Sequence, residues 1–224
     1  MSISLDEAVE LTRTGDVWVF RGRSVPDRAI QWTTNSPVNH VGMAVVLDDM
    51  PPLMWHAELG RSLPDMWTGT HQRGVQLHDL RDAVCVWANR YGQRAWLRQL
   101  EPPADPEMER AVLRTIARLD GTPFPSTAQL AWRWLRGRVP TPQLPMPRLP
   151  MRAARQRPAN SGESTLETAY CAEVVAVTYE AMGLLPAGRR PNWYDPGRFW
   201  SGDDLGLQGG ARLGSEIEVR MPAR

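Results

Sequence analysis

The chain has 224 residues, of which 42% are hydrophobic and 23% charged, and its formal net charge is +1. This length and composition are typical of one globular domain with its own core. The near-neutral charge provides no overall basic field, which argues against a nucleic-acid partner.

The first 20 residues lack the basic and apolar regions of a signal peptide. No apolar run approaches the roughly 18 residues needed to span a membrane. Two cysteines, Cys85 and Cys171, do not make a disulfide framework. Together these features predict a cytoplasmic protein.

The first half of the chain predicts a short helix followed by strands. Ser4 and Glu7 have the spacing of a capping box, which predicts a helix to about Thr12. Strand-like runs follow, joined by short turns, which predicts a largely antiparallel sheet. The runs are 17–20, 38–47, 53–58, 74–77 and 83–88.

The second half predicts helices. Apolar spacing after Pro106 predicts a helix over 105–119, and a second helix is expected over 126–136. Between Gly121 and Gly162 there are seven Arg and eight Pro but no acidic residue. The proline density predicts an irregular insertion at about 137–163 within a single domain spanning 1–224.

A third helix is expected to begin near Ser164, end at Gly183 and carry Cys171 in its first turns. A helix N-terminus and a neighbouring imidazole both favour a thiolate, so Cys171 is a candidate nucleophile. The alternative is a small buried hydrophobic residue. Cys85, between Val84 and Val86 in a predicted strand, is interpreted as a core residue.

His40 lies inside an apolar predicted strand and is a candidate general base for Cys171, although a core histidine is the alternative. His56 follows after one turn and could orient the imidazole of His40 from the neighbouring strand. Glu58 is the rival for this role, because it is two residues along the same strand face.

Four segments in this order resemble the circularly permuted papain-like branch of the NlpC superfamily. This branch includes YiiX-like and YebB-like proteins and the lecithin:retinol acyltransferase group. The segments are Gly15–Phe20, Asn39–Met43, His56–Ala57 and Tyr170–Val175, and a further likeness covers Asn192–Phe199.

The resemblance implies an α+β, permuted papain-like fold, in which an antiparallel sheet packs against a central helix carrying the nucleophile at its N-terminus. It implies Cys171 as nucleophile, His40 as base and His56 as the third polar residue. The activity expected is that of a cysteine hydrolase or acyltransferase acting on a small-molecule, peptide or lipid acyl substrate. No cofactor or metal is expected.

Two other functions stay open. The same fold could serve as a catalytically silent ligand- or lipid-binding module. A zinc site could use the four histidines and Cys171, but no closely spaced ligand pair supports it, and His71 and His78 lie in polar, loop-like sequence.

The Arg-rich segment at 126–158, with Trp132 and Trp134, could make a peripheral contact with an anionic membrane. An ordinary helix packed on the domain, followed by a solvent-exposed loop, is the alternative.

Overall fold

The computed structural model describes residues 1–22, 37–123, 162–188, 193–202 and 205–222, with side chains in the last helix described from Tyr170 onward. In this part of the chain the strands are β1 Ser2–Ser4, β2 Val17–Arg21, β3 His40–Val45, β4 Leu53–Glu58, β5 Gly74–Asp79, β6 Arg94–Arg98, β7 Leu100–Glu101, β8 Arg212–Leu213 and β9 Ile217–Arg220. The helices are α1 Leu5–Leu11, α2 Leu80–Tyr91, α3 Pro106–Leu119 and α4 Gly162–Ala181, with a 3₁₀ turn at Pro196–Phe199. The mixed α+β class expected from the sequence is observed.

Seven strands form one sheet in the order β1-β9-β6-β2-β3-β4-β5. Its pairs are antiparallel except β1 with β9, which run parallel. The three strands β3, β4 and β5 follow one another in sequence and in space, as antiparallel neighbours. They form one end of the sheet, where the histidines lie.

The helix starts follow from their capping residues. Ser4 and Glu7 form the predicted capping box at α1. Asp105 accepts hydrogen bonds from two backbone N–H groups in the first turn of α3, and Pro106 occupies its first position. Both predicted helices are confirmed.

The sheet is buried on both faces. Alternate strand residues belong to two apolar clusters, as the two-residue period of a strand requires. One face packs on α3 and α4 and includes Val41, Met43 and Trp55. The other packs on α1 and α2 and includes Phe20, which contacts Trp87 of α2.

Two buried hydrogen bonds attach the C-terminal part of α4 to the sheet layer. The Tyr179 hydroxyl donates to the carbonyl of Gly15 at 2.5 Å, and the Trp55 indole N–H donates to the Thr178 hydroxyl at 3.0 Å. Gly183, with φ +76°, takes the left-handed conformation just after the helix, at the predicted stop.

Arg98 holds the C-terminal segment against β6. Its buried guanidinium donates to the carbonyls of Phe199, Leu213 and Gly214 at 2.6–2.9 Å. Such charge-assisted bonds satisfy carbonyls that a strand or helix does not pair.

The strand predicted over 83–88 is wrong, since this stretch belongs to helix α2. Asp79 caps that helix by accepting from the N–H of Asp82, and Gly92 ends it with φ +64°. Its buried residues Leu80, Ala83, Val84 and Trp87 have helical spacing. Cys85 is therefore a half-buried helix residue packed beside the core.

Three predictions lie outside the described residues: the helix over 126–136, the insertion up to residue 161, and the membrane-contacting segment 126–158. The last two residues of the predicted insertion, Gly162 and Glu163, already belong to α4. Among the helices described here, none has both the length and the apolar character needed to cross a bilayer.

Candidate functional site

Three histidines form a hydrogen-bonded row across β3, β4 and β5. His40 Nε2 lies 3.2 Å from His56 Nδ1, and His56 Nε2 lies 3.0 Å from His78 Nδ1. The row ends on Gln76, whose Oε1 is 3.2 Å from His78 Nε2. We call these four residues the histidine row.

The strands explain the alignment. β4 runs antiparallel to β5, with His56 opposite Gln76 and Met54 opposite His78. Gln76 and His78 are two residues apart and share one face of β5. Because His40 starts β3 and His56 is near the end of β4, all four side chains gather on the face that packs on α2.

Aromatic side chains cover the histidine row. The Trp87 ring meets His40 and His56 edge-on, with centroids 4.8 Å away in each case. Phe20 lies 5.8 Å from His40 and 4.7 Å from Trp87. His56, His78 and Gln76 are fully buried, and His40 is 8% exposed.

Burial keeps these imidazoles neutral. It lowers the pKa of His40 to about 3, with a smaller contribution from the nearby His78. It lowers the pKa of His78 to about 4, although Asp65 and the backbone carbonyl of Leu63 oppose the shift. Burial also lowers the pKa of His56 well below its usual value.

Glu58, the rival third residue, is bonded elsewhere. Its carboxylate accepts from the Ser62 hydroxyl at 2.6 Å and from the Ser62 N–H at 3.3 Å. Burial raises the pKa of Glu58, and the bonds to Ser62 and Trp87 partly oppose this. The structure thus joins His56, and not Glu58, to His40.

Cys171 does not lie at a helix N-terminus, so that part of the sequence prediction is wrong. α4 begins at Gly162, nine residues earlier, which is about 14 Å along the axis. Inside a helix the Cys171 N–H is the donor of an i→i−4 bond. It is therefore not available as the expected oxyanion donor in this conformation.

Cys171 is also fully buried and belongs to the cluster on the α4 face, together with Val41 and Met43. The His40 ring packs instead on Phe20 and Trp87, on the α2 face. The structure therefore brings two of the three predicted site residues together and places the third in the packing of the opposite face.

Sequence reasoning named His78 only as a possible zinc ligand and did not place His78 or Gln76 beside His40 and His56. His78 was expected in loop-like sequence, but it is a buried residue of β5, which continues to Asp79. The signal was present as the alternation of Gln76 and His78 with apolar Val75 and Leu77. His71, by contrast, is exposed outside the strand.

A metal ion could also use part of this site. One ligand atom each from His56, Glu58 and His78 lie within 4.8 Å of one another, and all three residues are buried. Imidazole and carboxylate groups are ordinary zinc ligands. However, the two facing imidazole nitrogens are already 3.0 Å apart in a hydrogen bond, and Glu58 is bonded to Ser62.

Comparison with known proteins gives only a distant likeness. No family model matches the chain, and no curated protein shows significant similarity to it. A solved structure, that of metalloprotein yiiX from Escherichia coli O157:H7, is similar with 20% identity and a TM-score of 0.45. The match covers 75% of this chain but only 65% of that one. A likeness at this level carries neither activity nor metal over to this chain.

Proposed function

We propose that this protein is a cysteine-dependent hydrolase or acyltransferase with Cys171 as nucleophile, His40 as base and His56 as the residue that orients it. The observation that carries the proposal is the hydrogen bond between His40 Nε2 and His56 Nδ1. It holds one nitrogen of His40 and leaves Nδ1 as the atom that can take a proton.

The reaction follows the usual order for a thiol nucleophile. The Cys171 sulfur attacks an amide, ester or thioester carbonyl while its proton passes to His40 Nδ1. Collapse of the tetrahedral species breaks the bond to the leaving group, which takes the proton from His40. Water or an acceptor amine or alcohol then attacks the thioester, giving its proton to His40, and the thiol is restored.

This chemistry requires a local opening. The sulfur must leave the cluster on the α4 face and pass around the end of the sheet, where His40 begins β3, to reach the imidazole. The turn ahead of Cys171 must also unwind to free the N–H that would bind the oxyanion. Such an opening must break the packing of the α4 face around Cys171, whereas the bonds through Thr178 and Tyr179 can stay in place.

Thiol labelling tests the nucleophile. At neutral pH, iodoacetamide should modify Cys171 well before Cys85, because the proposed opening brings the Cys171 thiol to His40, whereas Cys85 has no such base and burial raises its pKa. His40→Ala should slow the reaction of Cys171 and leave Cys85 as the internal control. Equal labelling of both thiols, or no labelling of Cys171 in the folded protein, would contradict the proposal.

Paired substitutions test the third residue. His56→Ala should reduce turnover by about 10²–10⁴-fold, because the base loses its orienting partner. Glu58→Ala is the matched control, since its carboxylate is engaged by Ser62. If Glu58→Ala loses most of its turnover and His56→Ala keeps most of it, Glu58 and not His56 is the orienting residue.

A catalytically silent binding module is the second candidate function. It is favoured by the complete burial of Cys171 in the middle of a helix. Intact-mass analysis after incubation with a cell extract separates the two: an acyl adduct on Cys171 supports the enzyme. Specific retention of a small molecule or lipid without any adduct supports the module.

A further inference from the structure

The side-chain amide of Gln76 can be oriented in one way only. Its Nε2 lies 3.2 Å from the carbonyl oxygen of Gln72, 3.3 Å from that of Gly74 and 3.5 Å from that of Glu58. Carbonyl oxygens only accept hydrogen bonds, so the atom facing them must be the NH₂ group. The amide oxygen is left facing His78.

This orientation determines where each imidazole carries its proton. The Gln76 oxygen only accepts, so His78 Nε2 must carry the hydrogen and His78 Nδ1 must be the acceptor. His56 Nε2–H then donates to His78, and His40 Nε2–H donates to His56. A neutral imidazole has one N–H, and the remaining nitrogen, His40 Nδ1, has the lone pair.

We propose that Gln76 and His78 are positioning residues that act through His56 to hold His40 as the single tautomer with an unprotonated Nδ1. The inference rests on the proposed function for its catalytic meaning, but the hydrogen-bond direction stands on geometry alone. Trp87 and the burial of the row keep water from supplying alternative donors and acceptors. Neither Gln76 nor His78 would touch the substrate.

Nitrogen-15 NMR of labelled histidine measures the tautomers directly. In the wild-type protein at neutral pH, His40, His56 and His78 should each show a protonated Nε2 and an unprotonated Nδ1. A protonated Nδ1 on His40 would overturn the inference. This readout does not depend on the reactivity of Cys171.

Two substitutions at one position form a matched pair. His78→Gln can still accept from His56 and donate to Gln76, so His40 should keep its single tautomer. His78→Leu can do neither, so His40 should become a mixture of tautomers. An unchanged spectrum of His40 in His78→Leu would contradict the inference.

Gln76→Met removes the terminal acceptor and tests the alternative that the Leu63 carbonyl alone fixes the His78 proton. We expect His78 to become a mixture of tautomers in this variant. If His78 keeps a protonated Nε2, Gln76 does not determine the position of that proton. Added Zn²⁺ should leave the wild-type spectrum unchanged. Metal-bound signals at His56 and His78 would show that these residues form a metal site and not a hydrogen-bonded row.

The two proposals fail in different ways. If Cys171 is inert and the histidines show the expected tautomers, the hydrolase proposal fails, but the proposed direction of hydrogen bonds along the histidine row still holds. If Cys171 is reactive but His40 shows a mixed or reversed tautomer, the hydrolase proposal stands and the positioning role of Gln76 and His78 fails.

Discussion

Acidification should destabilise the folded protein through the buried histidines. The pKa of His78 is about 4 in the folded state, against 6.5 for an ordinary histidine. Below pH 6.5 this histidine therefore binds a proton in the unfolded chain but not in the folded one. As the pH is lowered from 6.5 to about 4, the free energy of unfolding decreases. At pH 5, which is 1.5 units below the ordinary histidine pKa, His78 lowers the free energy of unfolding by about 2 kcal/mol. His40, with a pKa of about 3, adds a similar loss.

Three carboxyl groups act in the opposite direction. Burial raises the pKa of Asp16 to about 6, so the folded state binds a proton more readily than the unfolded chain and gains stability as pH falls through 6. At pH 5 this offsets about 1 kcal/mol. Asp120, less buried, acts in the same sense and more weakly, and so does Glu58, whose pKa is also raised by burial. A comparison with a histidine variant cancels these carboxyl contributions.

Urea unfolding of the wild type and His78→Gln at pH 7 and pH 5 isolates the effect. The wild type should lose about 2 kcal/mol more than the variant between these values. His71→Gln, which removes an exposed histidine, is the matched control and should behave as the wild type. Equal losses in all three proteins would show that His78 is not held neutral by the fold.

Two further predictions concern the packing of the fold. A Cβ at Gly42 would lie 2.4 Å from the buried Met54 Sδ, so Gly42→Ala should cost about 1–3 kcal/mol of unfolding free energy. Gly202→Ala, whose Cβ meets only an ordinary contact, should be nearly neutral in the same urea titration. Arg98→Met should cost about 3 kcal/mol because three carbonyls lose their donor. Its control, exposed Arg212→Met, should lose less than about 1 kcal/mol, and equal losses would contradict the anchoring role of Arg98.

Local sequence signals predicted most of the regular structure described here. The capping box at Ser4, the strands around His40 and His56, and the stop at Gly183 are all set by residues within a few positions of one another. The strand prediction at 83–88 was wrong because a short run of apolar residues fits both the two-residue period of a strand and the 3.6-residue period of a helix. The cap at Asp79 and the stop at Gly92 were the signals that distinguish them.

The site was only partly accessible to sequence reasoning. The pairing of His40 with His56 could be expected, because one turn connects their strands. The contribution of His78 could not, since it depends on the register of β5 against β4. The position of Cys171 depends on where α4 begins, and the capping pattern at Ser164 placed that start after Gly162.

The attachment of α4 to the sheet has a consequence for its dynamics. Because Thr178 and Tyr179 are tied to the sheet layer by buried side-chain bonds, the backbone amides of this part of α4 should exchange only when those bonds also break. Amide hydrogen exchange around Thr178 should then report the stability of the whole sheet layer and not the fraying of a single helix.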